Sequence, residues 1–197
     1  DAYIQVGEIT SAEELLRFAQ ISGANRIRIG IWKPRGDSYQ SLFARAGTFL
    51  QEIEDATRQH GIKWLIETHQ QSICPSVSSA FRLVSQFDPE YVGVIIDPGN
   101  MVHEGYEDYR MGMELLGSYL AHIHIKNATF VREKDDGIWK ARWAPLANGI
   151  VNFSKFIAAL KEFDYDGWLS MEDFSQTRSS HEKLTHNMAF IKEILQH

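Results

Sequence analysis

Four short apolar runs in this chain each end in a carboxylate or an imidazole. They are Leu65-Ile66-Glu67-Thr68-His69, Ile96-Asp97-Pro98-Gly99-Asn100, His122-Ile123-His124-Ile125-Lys126 and Leu169-Ser170-Met171-Glu172. Glu67, Asp97 and His124 stand 30 and 27 positions apart, about the length of one strand-plus-helix unit. Repeated units of that kind build a parallel sheet whose strand C-termini share one end, so polar residues closing the strands converge there. Three carboxylates and one imidazole brought to a point make a divalent-metal site.

The rest of the chain agrees with this alternation. Strands are expected at Arg26–Ile31, Lys63–Glu67, Tyr91–Asp97, Ala121–Lys126 and Trp168–Glu172, several of them apolar at consecutive positions as in strands covered on both faces. Helical patterns fill the intervals. Ser11–Ile21 opens with Ser11 and has Glu14 three residues later, a capping box. Tyr39–His60 carries a stripe from Leu42 to Ala56 and stops at Gly61. Further helices are expected at Ser76–Phe87, Tyr106–Gly117, Phe153–Phe163 and Ser180–Leu195. Such an order gives either a closed (β/α)8 TIM barrel or an open doubly wound sheet. The open fold usually carries a Gly-rich phosphate loop after its first strand, and none is present here. Functional residues closing four different strands also favour the barrel.

Five strand signals fall short of eight, and a complete barrel runs to about 250 residues. The expectation is therefore a single domain over residues 1–197 that forms the C-terminal portion of a barrel, with the first three or so βα units lying upstream. The chain opens on Asp1 without an initiator Met, in keeping with that expectation. A second copy covering the open edges, and hence a homo-oligomer, is the alternative.

Composition narrows the function classes. Lys plus Arg number 20 against 26 Asp plus Glu, a net charge of −6, which disfavours a nucleic-acid binder. No run approaches the ~18 apolar residues of a membrane span. The lone cysteine, Cys74, rules out an internal disulfide framework, fits a cytoplasmic protein, and reads as a plain loop or helix-start residue.

Taken together, these motifs resemble the xylose isomerase-like TIM-barrel superfamily, in the sugar phosphate isomerase/epimerase branch that includes the ketose 3-epimerases. The likeness runs from Ala24-Asn25-Arg26-Ile27 to the last helix and takes in Ser170-Met171-Glu172-Asp173-Phe174. It also covers the lead-in to the final strand, Pro145–Phe153, Ala159-Leu160 and Tyr165-Asp166-Gly167-Trp168. The resemblance implies that Glu67, Asp97, His124 and Glu172 ligate one metal ion. It further implies that Glu67 and Glu172 act as base and acid on a sugar or sugar phosphate, as an isomerase or epimerase. Hard oxygen donors with one imidazole tilt the ion toward Mn²⁺, with Mg²⁺, Co²⁺ and Zn²⁺ also compatible. Three carboxylates around a dication leave a formal −1, favouring a neutral polyol at the metal.

Around that set, His69 and Lys126 share the inward face of their strands and are expected at the substrate, and Asn100 can bond its hydroxyls. The family often has a His at the position of Asn100 and an Asp at that of Asn127, and some ketose epimerases have an arginine at that of Phe130, with Arg132 near it here. His122 lies one layer deeper than His124 and reads as a hydrogen-bonded core residue. His103 and His181 read as loop or surface residues, Trp32 as a sugar platform or rim packing, and Arg132–Asp136 as a solvated loop at the rim of the site.

Other functions compete. A dehydratase acting on keto-inositols uses a similar site. Hydrolysis of abasic DNA in the same superfamily needs more histidine ligands and a basic face. A non-catalytic carbohydrate-binding barrel would not need paired Glu67 and Glu172.

Overall fold

The computed structural model describes residues 2–3, 12–29, 32–58, 60–135 and 137–196. Six strands pair in parallel in one sheet: β1 (Ala2–Tyr3), β2 (Arg26–Ile29), β3 (Lys63–Glu67), β4 (Val92–Ile96), β5 (Leu120–Ile125) and β8 (Leu169–Met171), in that spatial order. Between them run helices α1 (Ala12–Ser22), α2 (Tyr39–Thr57), α3 (Val77–Val84), α4 (Pro98–Glu104), α5 (Tyr109–Leu116) and α6 (Phe153–Glu162), and α7 (Ser180–Gln196) follows β8. Sequential parallel strands joined by helical crossovers are a partial (β/α)8 barrel.

The sheet has two chemically different faces because side chains alternate along a strand. Ile27, Ile29, Trp64, Ile66, Val94, Ile96, Ile123 and Ile125 belong to the large core shared with the helices. Leu50 and Ile53 of α2, Leu83 of α3 and Phe156 of α6 are packed into that core with almost no exposure. The opposite face buries a much smaller apolar cluster, Leu65, Ile95 and Ala121. Many of its other residues are polar, and they include the ends of β3 and β5.

Local chemistry sets the element boundaries. Ser38 caps α2 by accepting from Ser41 N at 3.2 Å. A reciprocal capping box between Ser76 and Ser79 starts α3. Asp108 accepts from Met111 N at 2.9 Å and begins α5 there, so the expected helix from Tyr106 starts three residues later. Gly61, at φ 61°, takes the left-handed turn between α2 and β3. The capping box expected at Ser11, and the Gly30-Ile31 end of the first expected strand, lie outside the described residues.

Three features differ from the sequence expectation. The parallel sheet has six strands instead of five, since Ala2–Tyr3 pairs with Ile27 and Arg28. A short helix, α4, follows β4 where no helix was expected, with Asp97 as its cap and Pro98 in its first turn. The segment from Arg132 to Asp135 is largely exposed as expected, but it turns between two strands that had not been expected, the antiparallel ribbon of β6 (Asn127–Arg132) and β7 (Trp139–Ala144); Asp136 is outside the described residues. Among the described residues, no helix is long and apolar enough to cross a membrane.

Candidate metal centre

Parallel register carries the ends of β3, β4, β5 and β8 to one place: Glu67 pairs with Ile95, Ile96 with Ile123, and His124 with Ser170. One ligand atom from each of Glu67, Asp97, His124 and Glu172 lies within 4.8 Å of all the others. Donors held at about 2.0–2.3 Å by one ion would be no more than about 4.6 Å apart, so the set needs only slight contraction to hold one. His124 Nδ1 is the hub, at 2.9 Å from Glu67 Oε1, 3.5 Å from Asp97 Oδ2 and 3.7 Å from Glu172 Oε1.

Each carboxylate is held by a different device. Asp97 divides its oxygens: Oδ1 accepts from Asn100 N at 2.8 Å as the cap of α4, which leaves Oδ2 aimed at the cluster. Oδ2 is buried and accepts no hydrogen bond of good geometry, although Lys126 Nζ lies 2.7 Å away as an ion pair. A buried carboxylate oxygen in that condition, beside two more carboxylates and an imidazole, fits a hard divalent cation. The backbone of Asp97 is fixed as well, its N–H donating to Thr68 Oγ1 at 2.9 Å. Glu67 accepts from Asn100 Nδ2 at 3.0 Å and is ion-paired with Arg28 from β2. Glu172 is the most exposed of the candidate ligands, its side chain 22% exposed against 0% for Glu67 and Asp97.

The surroundings push the titrating groups apart. Burial raises the Glu67 carboxyl above the usual carboxylate range, against the pull of His124 and Arg28. For Asp97 burial acts the same way, but the Lys126 ammonium and His124 outweigh it and hold the group well below that range. Burial lowers the His124 imidazole, and Asp97 and Glu67 overcome it, bringing the ring to about 9. His122, two residues away, is lowered to about 4 by burial and then by the charge of His124.

The remaining expected residues fall into place around this core. Asn100 is fully buried, donates to Glu67 and to Thr68 O at 3.1 Å, and accepts from Lys126 Nζ at 3.2 Å. Lys126 reaches Glu172 Oε2 at 2.6 Å and lies 5.1 Å from the ring centroids of both Trp143 and Phe174. His69 is half-buried and turns Nδ1 to Gln70 O at 2.8 Å, and burial lowers its imidazole. His122 is outside the ligand group, with Nε2 at 2.8 Å from Ser170 Oγ. His103 differs from a surface residue: it is half-buried on α4 with its ring 4.8 Å from Trp143. His181 is exposed, and Trp32 packs edge-on against Phe49 at 6.2 Å.

Asn127 has a structural task. It is buried, accepts from Ala128 N and Val151 N at 2.9 Å each, and donates to Leu146 O at 2.7 Å and Val151 O at 3.2 Å. The cluster's arginine comes from an unexpected direction, since Arg132 stays at the ribbon tip bonded to Gly137 O at 3.0 Å. Arg28 instead pairs with Glu67 and places a second nitrogen 3.8 Å from Glu172. Its only sequence signal was the alternation Arg26-Ile27-Arg28-Ile29, which reads as an exposed edge until the inner face is known to be polar. With Arg28 and Lys126 inside, three carboxylates and a dication no longer sum to −1, which removes that ground for expecting a neutral substrate.

Gly99 sets the spacing between two of these strands. A Cβ there would lie 2.7 Å from the carbonyl carbon and oxygen of Lys126, so the first turn of α4 sits directly on the end of β5.

Comparison with known proteins agrees with the architecture. A family model described as xylose isomerase-like TIM barrel matches residues 7–194. Among curated proteins, the inosose dehydratase of Mesomycoplasma hyopneumoniae (strain 7448) is 28% identical over 136 residues, 62% of this chain and 44% of that protein. The matched segment thus spans less than half of that relative's length. A xylose isomerase-like TIM-barrel protein from Mycobacterium smegmatis, solved in complex with magnesium, superposes with a TM-score of 0.71 at 23% identity, covering 93% of this chain and 65% of that one. A D-allulose 3-epimerase from Methylomonas sp. also gives a TM-score of 0.71, at 20% identity over 93% of this chain and 69% of that one. At these identities the solved structures speak to the fold alone.

Proposed function

The chain belongs to the xylose isomerase-like TIM-barrel family, and on that footing we propose that it acts as a divalent-metal-dependent isomerase or epimerase of a sugar or sugar phosphate. The single observation carrying this reading is the convergence of Glu67, Asp97, His124 and Glu172 at the shared end of four adjacent strands. Glu67, Asp97, His124 and Glu172 would hold the ion, with Mn²⁺ or Mg²⁺ preferred by the oxygen-rich donor set. Residues 1–197 are read as one continuous barrel portion carrying that set.

The bound cation supplies Lewis-acid polarisation of the substrate carbonyl. The chain's own residues supply the proton chemistry. Glu67 and Glu172 stand on β3 and just past β8, with β4 and β5 between them, so they approach a substrate carbon from different sides. Glu67 is buried at the cluster, where it is placed to take a proton from carbon next to the carbonyl. Glu172, partly exposed, can return a proton and re-equilibrate with water. Arg28, Asn100 and His124 keep the Glu67 carboxylate in one orientation throughout.

A second reading has a specific observation behind it: the curated relative described above is an inosose dehydratase. The same base would remove the proton, and a nearby acid such as His69 or Lys126 would protonate a departing hydroxyl, releasing water. Incubating the full-length natural protein with Mn²⁺ and a panel of ketoses, ketose phosphates and keto-inositols in D₂O separates the two. Isomerisation or epimerisation leaves a product of substrate composition with one deuterium on the exchanged carbon. Dehydration gives a product lighter by one water. Chelation should stop either, and exchange that survives chelation, or none with any substrate, would overturn the proposal.

A further inference from the structure

Lys126 is the one ammonium within the ligand cluster among the described residues, and its position is unusual for a substrate-facing lysine. Nζ lies 2.7 Å from Asp97 Oδ2, 2.6 Å from Glu172 Oε2 and 3.9 Å from Glu67 Oε1, so it touches or neighbours every carboxylate of the set. The side chain is only 4% exposed. Trp143 and Phe174 wall it on another side, each ring centroid 5.1 Å from Nζ, and Asn100 Oδ1 accepts from it at 3.2 Å. The oxygens that Lys126 grips include Asp97 Oδ2, the same atom that lies 3.5 Å from His124 Nδ1.

We propose that Lys126 is an internal counter-cation competing with the divalent ion for Asp97 and Glu172, so that it limits metal affinity instead of supporting it. The inference rests on the metal reading of this cluster. A divalent ion entering the cluster must break two short ion pairs, the one to Asp97 fully buried and the one to Glu172 partly exposed. Set between the two rings and Asn100, the ammonium is almost wholly buried. Its positive charge stays beside the metal and repels it. A neutral side chain of similar length removes both costs. The opposite view is that Lys126 braces Glu172, the most exposed of the candidate ligands, in its ligating position. On that view a neutral residue would weaken binding.

The two views are separated by titrating Mn²⁺, and separately Mg²⁺, into the full-length natural protein and its Lys126→Met and Lys126→Gln variants by calorimetry. Thermal melts with and without metal give a readout independent of turnover. Both variants are expected to bind metal more tightly, by on the order of tenfold or more. They should melt lower than the parent without metal, because three carboxylates are left to repel one another, and should gain more from added metal. Equal or weaker binding by both variants, with the parent binding normally, overturns the competition and leaves the metal site standing. Absence of binding by parent and variants alike sinks the metal reading itself and the inference with it. Should Lys126→Met fail to fold, Lys126→Gln, which keeps a hydrogen-bond donor for Asn100, carries the comparison.

Discussion

On β3, Leu65 and Ile66 are neighbours, nearly equal in size, and buried to 0% and 1% exposure, yet they look into different worlds. Ile66 packs in the broad core between sheet and helices, with Ile29, Trp64 and Leu83 in the same cluster. Leu65 packs with only Ile95 and Ala121, below a row of charged and polar groups. One strand thus carries stability on one side and chemistry on the other. The polar side tolerates buried carboxylates because Arg28, Lys126 and His124 answer them. The apolar side needs no such answers and supplies the cohesion that holds those charges in place.

The sharpest way to break this comparison is to truncate both residues. Ile66→Ala is expected to cost about 4 kcal/mol of unfolding free energy and Leu65→Ala about 2 kcal/mol, both within the usual range for large-to-small core changes. Urea denaturation measures each, and a Leu65→Ala loss equal to that of Ile66→Ala would make the inner face a true second core.

Asn127 sharpens the contrast from the polar side, because it is buried beyond the end of β5 yet serves the backbone. Asn127→Asp puts a carboxylate against the carbonyls of Leu146 and Val151, which now receive amide donors. A loss of about 2 kcal/mol is expected from two orphaned acceptors and their repulsion. Metal affinity should change little, and calorimetry alongside denaturation checks that division. A variant of normal stability with altered ligand binding would give Asn127 a role at the substrate instead.

The smallest effect belongs to Cys74, on the helix-facing side just before α3. Burial pushes its thiol up to about 12 from the ordinary 9. The raised group favours folding fully below pH 9, where neither state ionises, and that contribution fades from pH 9 to about 12 as only the unfolded thiol ionises. Between pH 9 and 10 the wild type should lose about 1 kcal/mol more stability than Cys74→Ala. Equal slopes in the two proteins would mean that the thiol is accessible in the native state.

How much of this was legible beforehand follows the same division. The helix-facing core wrote itself into the sequence as runs such as Trp64-Leu65-Ile66 and Val94-Ile95-Ile96, so strand positions and the βα alternation were readable within a residue or two. The convergence of Glu67, Asp97, His124 and Glu172 followed from their place at the ends of those runs. What escaped had no periodic signature. The two residues of β1 make no apolar run, and the seven of α4 are too few to show a stripe. The ribbon β6–β7 was masked by its charged tip, although Phe130, Val131, Ile138 and Trp139 beside that tip give it an exposed apolar flank. Arg28 and the inward grip of Lys126 are tertiary facts, because an arginine or lysine in a strand reads as solvated until the opposite strand ends are known to be acidic.

Gly99 has a consequence that reaches past its own position. The tightest tolerance in the centre is set by a hydrogen atom, since anything larger meets the carbonyl of Lys126 at 2.7 Å. A methyl there would act like a shim driven between two plates. It would lift the first turn of α4 and, through the Asn100–Asp97 cap, tilt Asp97 away from His124 and Lys126 together. A residue with nothing to offer a substrate or an ion therefore calibrates the distance between Asp97 and His124, and damage to the centre can arise from a position that carries no chemistry.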